Sequence, residues 1–355
     1  MRPYSKCRVV QRQEMNFWKG APVRFLITGA AGFIGSNLAA RISKNGYTVL
    51  GIDNLSPYYA PNLKKLRVEH FLTTNDIQFE CLDLLDLPKL RETIENFNPD
   101  TIVHLAAQPG VRTPIGKSFQ YIDNNITAFS NVLQTCIELE IADFLYASSS
   151  SVYGNSTEIP YRESDTSIRP ISIYGATKLA NELLAPTYVS GSKTRARGMR
   201  FFTAYGPWGR PDMAYFRIIN SILNGANFNK FGGGEVKRDF TYIDDITSMI
   251  EVLASELKSH RFGFSDVVNI GGGSPHSLND LISVTSKLLK AEPKILEKET
   301  NRNDTRVTCA DTTYLEELTH HSIDVDLESG VGMTINWAKA PEVSRMLDEW
   351  VNSTN

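Results

Sequence analysis

The sequence predicts an α/β fold in which helices cover both faces of a parallel β-sheet. Short apolar runs recur along the chain, and segments with helical spacing of apolar residues separate most of them. Because these runs are continuously apolar rather than alternating, they are typical of strands buried on both faces, as in a doubly wound sheet. The predicted strands cover residues 23–28, 47–52, 77–82, 101–105, 144–147, 198–203 and 267–270.

Composition excludes several classes of function. The chain has 355 residues and a net charge of −3, so it has no strong attraction to nucleic acid. No apolar stretch approaches the ~20 residues of a transmembrane helix, so we expect no membrane partner. The four cysteines are widely spaced and form no CxxC pair, which favours reduced thiols and a cytoplasmic location. Only two of the six histidines adjoin, and adjacent side chains point apart, so no metal site is expected.

Three glycines follow the first predicted strand with GxxGxxG spacing. Gly29 permits a tight turn, Gly32 lets the backbone approach a pyrophosphate, and Gly35 allows close packing of helix and strand. The N-terminus of the following helix would then bind the phosphates. Asp53 ends the next predicted strand, where a carboxylate accepts a hydrogen bond from a ribose 2′-hydroxyl and repels a 2′-phosphate. This pattern predicts NAD as cofactor, the alternatives being a plain glycine turn and an N-cap aspartate.

Tyr174 and Lys178 stand four residues apart, which places both side chains on one face of a helix. A phenol has a pKa near 10, so acting as a base at neutral pH requires roughly 4 kcal/mol of differential stabilisation for a shift of about three units. The Lys178 ammonium and a positively charged nicotinamide could supply it. The alternative is an exposed helix face with no catalytic role.

The chain resembles the extended short-chain dehydrogenase/reductase superfamily, in its nucleotide-sugar epimerase and dehydratase branch, over about residues 23–340. The matching motifs are TGAAGFIG at 28–35, IDNL at 52–55, DL at 83–84, HLAAQ at 104–108, DNN at 123–125, SSSSVYG at 148–154, YGATK at 174–178 and RDFTYIDD at 238–245. The resemblance implies a Rossmann domain that binds NAD, a smaller C-terminal α/β domain that binds a UDP-sugar, and a homodimer. The implied cofactor contacts are Gly29, Gly32, Phe33, Ile34, Gly35, Asp53, Asn54, Asp83, Leu84, Leu105, Ala106, Ala107, Gln108, Asn125, Tyr174, Lys178 and Phe201.

The resemblance also implies the catalytic and substrate-binding residues. Ser149 would bind the reacting sugar hydroxyl beside Tyr174 and Lys178. The implied substrate contacts are Ser149, Ser150, Ser151, Thr203, Arg210, Arg238 and Asp304. Of these, Arg238 matches a diphosphate-binding arginine and Asp304 a ribose-binding acid, although Asn303 replaces the glycine that usually precedes that acid.

Two features discriminate among the reactions of this branch. Dehydratases carry an acid-base carboxylate pair after the catalytic Ser or Thr, whereas this chain has Ser150 and Ser151, which suit an epimerase. The segment around Thr203 and Arg210 resembles UDP-glucuronate 4-epimerases, in which these positions hold the sugar carboxylate. The alternative for Arg210 is a salt bridge between the domains. We therefore expect NAD-dependent 4-epimerisation of UDP-glucuronate. The alternatives are a 4-epimerase of a neutral UDP-hexose or UDP-N-acetylhexosamine, a UDP-glucuronate decarboxylase, and a catalytically silent NAD-binding protein.

Residues 205–211 are rich in glycine and proline, which form turns, and this change in composition suggests a domain boundary. The expected parts are an extension over residues 1–20, the NAD-binding domain over 21–200 and a mainly substrate-binding domain over 201–355. Residues 267–270 form an apolar run like those of the earlier predicted strands. A segment of about 235–275 is therefore expected to return to the first domain. A basic run that includes Arg195 and Arg197 is expected on a solvated face.

Overall fold

The structure, a computed structural model, describes residues 23–110, 118–155, 158–299 and 305–352. The predicted extension over residues 1–20 lies outside these ranges. The strands are β1 (Arg24–Thr28), β2 (Thr48–Asp53), β3 (Gln78–Cys81), β4 (Thr101–His104), β5 (Asp143–Ser149), β6 (Arg195–Phe201), β7 (Thr203–Tyr205), β8 (Asn227–Phe231), β9 (Lys237–Tyr242), β10 (Ser265–Ile270), β11 (Pro275–Ser277) and β12 (Lys294–Lys298). The helices are α1 (Phe33–Lys44), α2 (Pro61–Arg67), α3 (Leu87–Phe97), α4 (Ser118–Ile122), α5 (Ala128–Glu138), α6 (Ile173–Val189), α7 (Ala214–Asn224), α8 (Ile243–Glu256), α9 (Leu278–Leu289), α10 (Thr313–Thr319), α11 (Leu327–Ala338) and α12 (Pro341–Asn352).

Seven strands form one parallel sheet in the order β10-β6-β5-β4-β1-β2-β3. Each of the seven apolar runs singled out in the sequence contributes one of these strands. The predicted fold class, a doubly wound α/β sheet, is therefore confirmed. Since β1 pairs with both β2 and β4, the chain order reverses at β1. In open α/β sheets, the carboxyl ends of the strands at such a reversal are where ligands bind.

Apolar residues cover both faces of this sheet. Phe25 joins the buried cluster that includes Leu38 of α1 and Ile250 of α8. Its neighbour Leu26 joins the opposite cluster, which includes Phe129 of α5. Successive side chains of a strand point to opposite faces, so continuous apolar runs are what a doubly covered sheet requires.

The basic run in β6 departs from the expectation of a solvated face. Arg195 and Arg197 are buried, and Arg197 donates two hydrogen bonds of 2.8 Å to Asp266 and also pairs with Glu256. Because β10 lies beside β6, acids from the later chain reach these guanidinium groups, and sequence spacing alone does not reveal that contact.

The chain between β6 and β10 and the chain that follows β10 together build a second group of elements. The order β11-β9-β7 forms a small sheet, and β8 pairs with β12. Helix α7 packs with α11 and α12 around a buried cluster that includes Tyr205, Phe216 and Leu347. Between α8 and β11, the chain re-enters the main sheet through β10, which lies next to β6. None of the helices in the described part of the chain is both long and apolar enough to cross a membrane.

Candidate active site

The loop between β1 and α1 tolerates only glycine at its key positions. Gly29 has a φ of +72°, and a Cβ on it would lie 2.7 Å from the Ala106 nitrogen. A Cβ on Gly35 would overlap the Gly29 carbonyl oxygen. The glycines therefore let α1 and the segment after β4 approach this loop at backbone contact distance.

The N-terminus of α1 fits a phosphate group. Its N-cap is Gly32, which offers no capping side chain, and the first turn contains no acidic residue. The first N–H groups of a helix have no intrahelical acceptor, so the amides of Phe33 and Ile34 stand at the helix end. Those donors and the positive end of the helix dipole suit the pyrophosphate of a dinucleotide such as NAD.

Asp53 is fixed beside the glycine loop. Its buried carboxylate accepts hydrogen bonds from the amides of Ala31, at 3.2 Å, and Leu55, at 2.7 Å. The Lys64 ammonium lies 4.0 Å from the same carboxylate. This is the position expected for a group that binds the adenosine ribose.

Asn54 and Asp83 form a second polar contact at this edge of the sheet. The Asn54 amide donates to the Asp83 carboxylate over 3.1 Å, and Asp83 also accepts from the amide of Leu85 over 3.0 Å. Leu84, which lies between Asp83 and Leu85 in the sequence, is buried. The structure thus brings Asn54, Asp83 and Leu84 together beside Asp53, as the motif resemblance implied.

The segment after β4 is held against the glycine loop and the helix α6. The amide of Ala106 donates to the Thr28 hydroxyl over 3.2 Å, and Leu105 precedes it. Asn125 accepts from the amide of Gln108 over 2.7 Å and donates to the Thr177 hydroxyl of α6 over 3.0 Å. Asn125 therefore ties the predicted cofactor segment, which includes Ala107, to the helix that carries the predicted catalytic pair.

Three residues that are distant in sequence meet at the end of β5. Helix α6 begins just after Ser172, so Tyr174 lies in its first turn and Lys178 one turn later. The Lys178 ammonium donates to the Ala147 carbonyl over 2.8 Å and lies 5.9 Å from the centre of the Tyr174 ring. Ser149 ends β5, and hydrogen bonding by its hydroxyl contributes to lowering the pKa of the Tyr174 phenol.

The serines after β5 extend this hydrogen-bonded group. The Ser149 hydroxyl donates to the Ser151 hydroxyl over 3.1 Å and accepts from the Ser151 amide over 3.1 Å. Ser150 is half-buried in the same 3-10 turn, and Phe201 of β6 pairs with Ser149 across the sheet. A row of hydroxyl groups, rather than carboxylates, therefore flanks the phenol.

Burial decides the protonation of the catalytic pair. It raises the pKa of Tyr174, while Arg210 and the hydrogen bond with Ser149 lower it only in part. It lowers the pKa of Lys178 to about 7. The chain's own groups thus do not provide the phenolate stabilisation that the sequence argument required, because desolvation outweighs them. A cationic ring such as the nicotinamide of NAD fits this requirement.

The buried Lys178 ammonium makes the stability of the NAD-free protein depend on pH. Between its pKa of about 7 in the fold and about 10.5 in the unfolded chain, the unfolded chain binds more protons, so stability rises with pH. We expect Lys178→Met to be the more stable protein below pH 7, by on the order of 5 kcal/mol at about 1.36 kcal/mol per pKa unit. The difference should close toward about pH 10. Urea unfolding at a series of pH values measures it, and a pH-independent difference would contradict the assignment.

Arg210 approaches the phenol from the second group of elements. Thr203 begins β7, and the loop that follows β7 carries Arg210. The Arg210 guanidinium donates to both carboxylate oxygens of Asp212, over 3.1 and 2.5 Å. Its charge lowers the pKa of both Tyr174 and Tyr58, so the guanidinium acts electrostatically on the predicted catalytic phenol. In this structure the carboxylate of Asp212 therefore occupies the two nitrogens through which the guanidinium would bind a carboxylate.

Arg238 lies farther along the same side of the molecule. It belongs to β9, whose next residues pair with β7 through Thr203 and Phe240. Its guanidinium donates to the Thr305 carbonyl over 2.8 Å. The predicted ribose-binding residue Asp304 lies outside the described residues.

Sequence analysis missed a buried ion pair between helix α6 and strand β6. Glu182, one turn beyond Lys178 on α6, accepts two hydrogen bonds from Arg200, of 2.9 and 2.8 Å, and one from Ser148. The i, i+4, i+8 spacing of Tyr174, Lys178 and Glu182 is a signal that could have found it. Among the described residues, no group of three or more potential metal ligands occurs.

Comparisons with known proteins agree with this arrangement. The model of the NAD dependent epimerase/dehydratase family matches residues 25–271. A probable UDP-glucuronate 4-epimerase of Rhizobium meliloti (strain 1021) is 36% identical over 331 residues, which cover 89% of this chain and 96% of the relative. UDP-glucuronate 4-epimerase 2 of Arabidopsis thaliana is 38% identical over 89% of this chain and 75% of its own length.

A similar fold occurs in the crystal structure of UDP-glucuronic acid 4-epimerase from Bacillus cereus in complex with UDP-glucuronic acid and NAD. That chain is 34% identical, and the alignment covers 89% of this chain and 99% of that one with a TM-score of 0.82. The family model spans more than half of the chain, and the sequence relatives exceed 30% identity over most of it. The chain therefore belongs to the NAD dependent epimerase/dehydratase family.

Proposed function

We propose that the protein is a NAD-dependent UDP-glucuronate 4-epimerase, which interconverts UDP-glucuronate and UDP-galacturonate through a 4-keto intermediate. The observation that carries the proposal is the position of Arg210. Its charge lowers the pKa of the Tyr174 phenol, and its two nitrogens pair with the carboxylate of Asp212, whose place the carboxylate of the substrate would take. A hexuronate that reacts at C4 carries its carboxylate on the adjacent carbon, within reach of such a group. The activities printed for the relatives described above support the same substrate.

Three side chains divide the work of proton transfer. NAD, when bound, accepts a hydride from C4 of the sugar and later returns it, so no net oxidation occurs. Tyr174, as the phenolate, removes the proton of the C4 hydroxyl, and Ser149 hydrogen-bonds the same oxygen. Lys178 would hold the phenol and the ribose of NAD, and the positive charge of bound NAD would complete the stabilisation of the phenolate. Inversion requires the 4-keto sugar to present its opposite face before Tyr174 returns the proton.

Arg210 has a second task while C4 is a ketone. The intermediate is a β-keto acid, which loses carbon dioxide readily when the C5–C6 bond stands perpendicular to the ketone plane. A planar guanidinium bound through two nitrogens holds the carboxylate in another orientation, which a lysine ammonium would do less well. Thr203 and Ser151 are proposed as additional hydroxyl donors to this carboxylate.

The residues near the phenol argue against elimination chemistry. Ser150 and Ser151 occupy the positions at which dehydratases carry an acid and a base. Glu182 lies on the same face of α6 as Tyr174, two turns farther along, but its carboxylate is already bound to Arg200 and Ser148. These groups suit hydride and hydroxyl-proton transfer only.

The remaining contacts with UDP follow from the family resemblance. We assign Arg238 to the diphosphate and Asp304 to the ribose of UDP. Residues 201–355 would then contribute most of the UDP-sugar site, and residues 21–200 most of the NAD site.

The test of the function is incubation of the purified protein with UDP-glucuronate, with and without added NAD, and separation of products by anion exchange. UDP-galacturonate without release of carbon dioxide is the expected result. UDP-xylose as the main product would favour a decarboxylase. No turnover of UDP-glucuronate together with epimerisation of UDP-glucose or UDP-N-acetylglucosamine would assign a neutral substrate and overturn the proposal.

A homodimer and a cytoplasmic location are further parts of the proposal. Phe119 of α4 and Leu183 of α6 are 79% and 67% exposed, the highest values among the large apolar side chains of the described residues. A second copy of the chain packing on α4 and α6 would cover them. Light scattering after size exclusion checks the dimer, and Leu183→Glu is expected to yield the monomer.

A further inference from the structure

Arg67, the last residue of α2, is a fully buried cation held by neutral acceptors. Its guanidinium donates to the Tyr59 hydroxyl over 2.6 Å and to the carbonyls of Trp208 and Gly209 over 2.8 Å each. It also donates to the Ala31 carbonyl over 3.3 Å. Burying a guanidinium that is bound only by neutral acceptors costs free energy. Its four hydrogen bonds offset part of that cost and hold the groups that accept them in place.

These acceptors come from two different parts of the site. Ala31 belongs to the glycine loop that fits the dinucleotide phosphates. Trp208 and Gly209 immediately precede Arg210, so their carbonyls define the backbone from which that side chain extends. One guanidinium therefore connects the cofactor loop to the loop that carries the carboxylate-binding arginine.

The backbone at Trp208 needs this support. Trp208 has a φ of +62°, in the left-handed region that residues with a side chain rarely adopt. Such a conformation persists only where its surroundings determine it, and it occurs preferentially at functional sites. Here the Trp208 ring stacks on His70, with 4.8 Å between ring centres, and contacts Trp337 at 5.4 Å. The Arg67 bond fixes the carbonyl of the same residue.

We infer that Arg67 is a positioning residue that sets the orientation of Arg210 and so keeps the carboxylate of the 4-keto intermediate from being lost. The inference rests on the proposed function. A lysine at this position could not replace the arginine, because an ammonium group lacks the planar fork that reaches acceptors on opposite sides at once. Arg67 touches neither substrate nor reacting atoms, and it acts through the backbone of Trp208 and Gly209.

The side reaction that Arg67 restrains can be written in full. In the 4-keto acid the C5–C6 bond breaks and its electron pair moves into the C4 carbonyl, which gives carbon dioxide and an enolate. Protonation of C5 then yields the UDP-4-keto-pentose. No oxidant beyond the one that formed the ketone is needed, so carbon dioxide release reports directly on the orientation of the carboxylate.

The experiment compares Arg67→Lys with the wild-type protein and with Arg197→Lys, which also changes a fully buried arginine but lies in β6. We expect Arg67→Lys to raise the ratio of carbon dioxide to UDP-galacturonate about tenfold and to raise KM for UDP-glucuronate. Its kcat should stay within about threefold of the wild-type value. Arg197→Lys should lower stability only and leave the product ratio unchanged.

Two further variants of the protein test the inference. Tyr59→Phe removes one acceptor of Arg67 and leaves the guanidinium in place, so it should shift the product ratio in the same direction by a smaller factor even if Arg67→Lys folds poorly. In an Arg210→Ala background, Arg67→Lys should add nothing to the ratio, since it acts through Arg210.

The outcomes distinguish a failure of the proposed function from a failure of the role inferred for Arg67. A wild-type protein that does not epimerise UDP-glucuronate overturns the proposed function and this inference with it. An active wild-type protein whose product ratio is unchanged by both Arg67→Lys and Tyr59→Phe overturns the inference alone. A ratio that rises equally in Arg197→Lys would also overturn it, because the effect would then follow from lost stability.

Discussion

Tyr174→Phe is expected to lower kcat for UDP-glucuronate epimerisation by about 10³-fold, within the 10²- to 10⁴-fold range that general acid-base groups contribute. The ring that packs between Ser149 and Lys178 remains, but the only group placed to remove the C4 hydroxyl proton is lost. Because phenylalanine keeps the shape of the site, the affinity for NAD should change little. Steady-state kinetics and equilibrium binding of NAD measure the two effects separately.

The matched control for this variant is Tyr153→Phe. Tyr153 is also a buried phenol near the end of β5, but its hydroxyl is bound to Asn269 and Arg200 over 2.7 and 2.8 Å. It should keep kcat within about threefold, so that the contrast isolates the chemistry of Tyr174. Retention of a tenth or more of kcat by Tyr174→Phe would show that another group is the base.

Arg210→Ala is expected to change the product as well as the rate. Hydrogen bonds to charged groups contribute about 1.5–3 kcal/mol, so KM for UDP-glucuronate should rise roughly 10- to 100-fold. The 4-keto acid that still forms is no longer held by a guanidinium, and carbon dioxide release should become a main outcome. Trapping of carbon dioxide and chromatography of the UDP-sugars measure the partition.

Arg238→Ala serves as the comparison for this second variant. Arg238 is assigned to the diphosphate, so its loss should raise KM for UDP-glucuronate and UDP-glucose alike and leave the product unchanged. Arg210→Ala should spare any binding of UDP-glucose, which has no carboxylate. Equal losses for both sugars in Arg210→Ala would contradict a carboxylate-specific role.

The sequence predicted the parts of the site that depend on local spacing. The glycines at 29, 32 and 35, the aspartate that ends β2 and the pair on α6 each belong to a short motif whose geometry follows from one turn, strand or helix. The seven strands were predictable for the same reason, since burial on both faces leaves a continuous apolar run.

The parts that sequence could not predict depend on contacts between distant segments. Arg67 reaches the carbonyls of Trp208 and Gly209, 141 and 142 residues away, and no periodicity encodes such a bond. The burial of Arg197 depends on β10 being its neighbour. The raised pKa of Tyr174 likewise follows from desolvation by the whole fold, whereas the sequence showed only the nearby lysine.

The return of the chain into the main sheet through β10 has a consequence for biosynthesis. Because β10 pairs with β6 only after the segment from β7 to α8 has been made, a nascent chain that stops short of residue 265 leaves β6 as an open sheet edge. Exposed edges of that kind recruit other strands and promote aggregation. A chain truncated before residue 265 lacks the edge strand that covers β6, and it is therefore expected to aggregate more readily than the full-length chain.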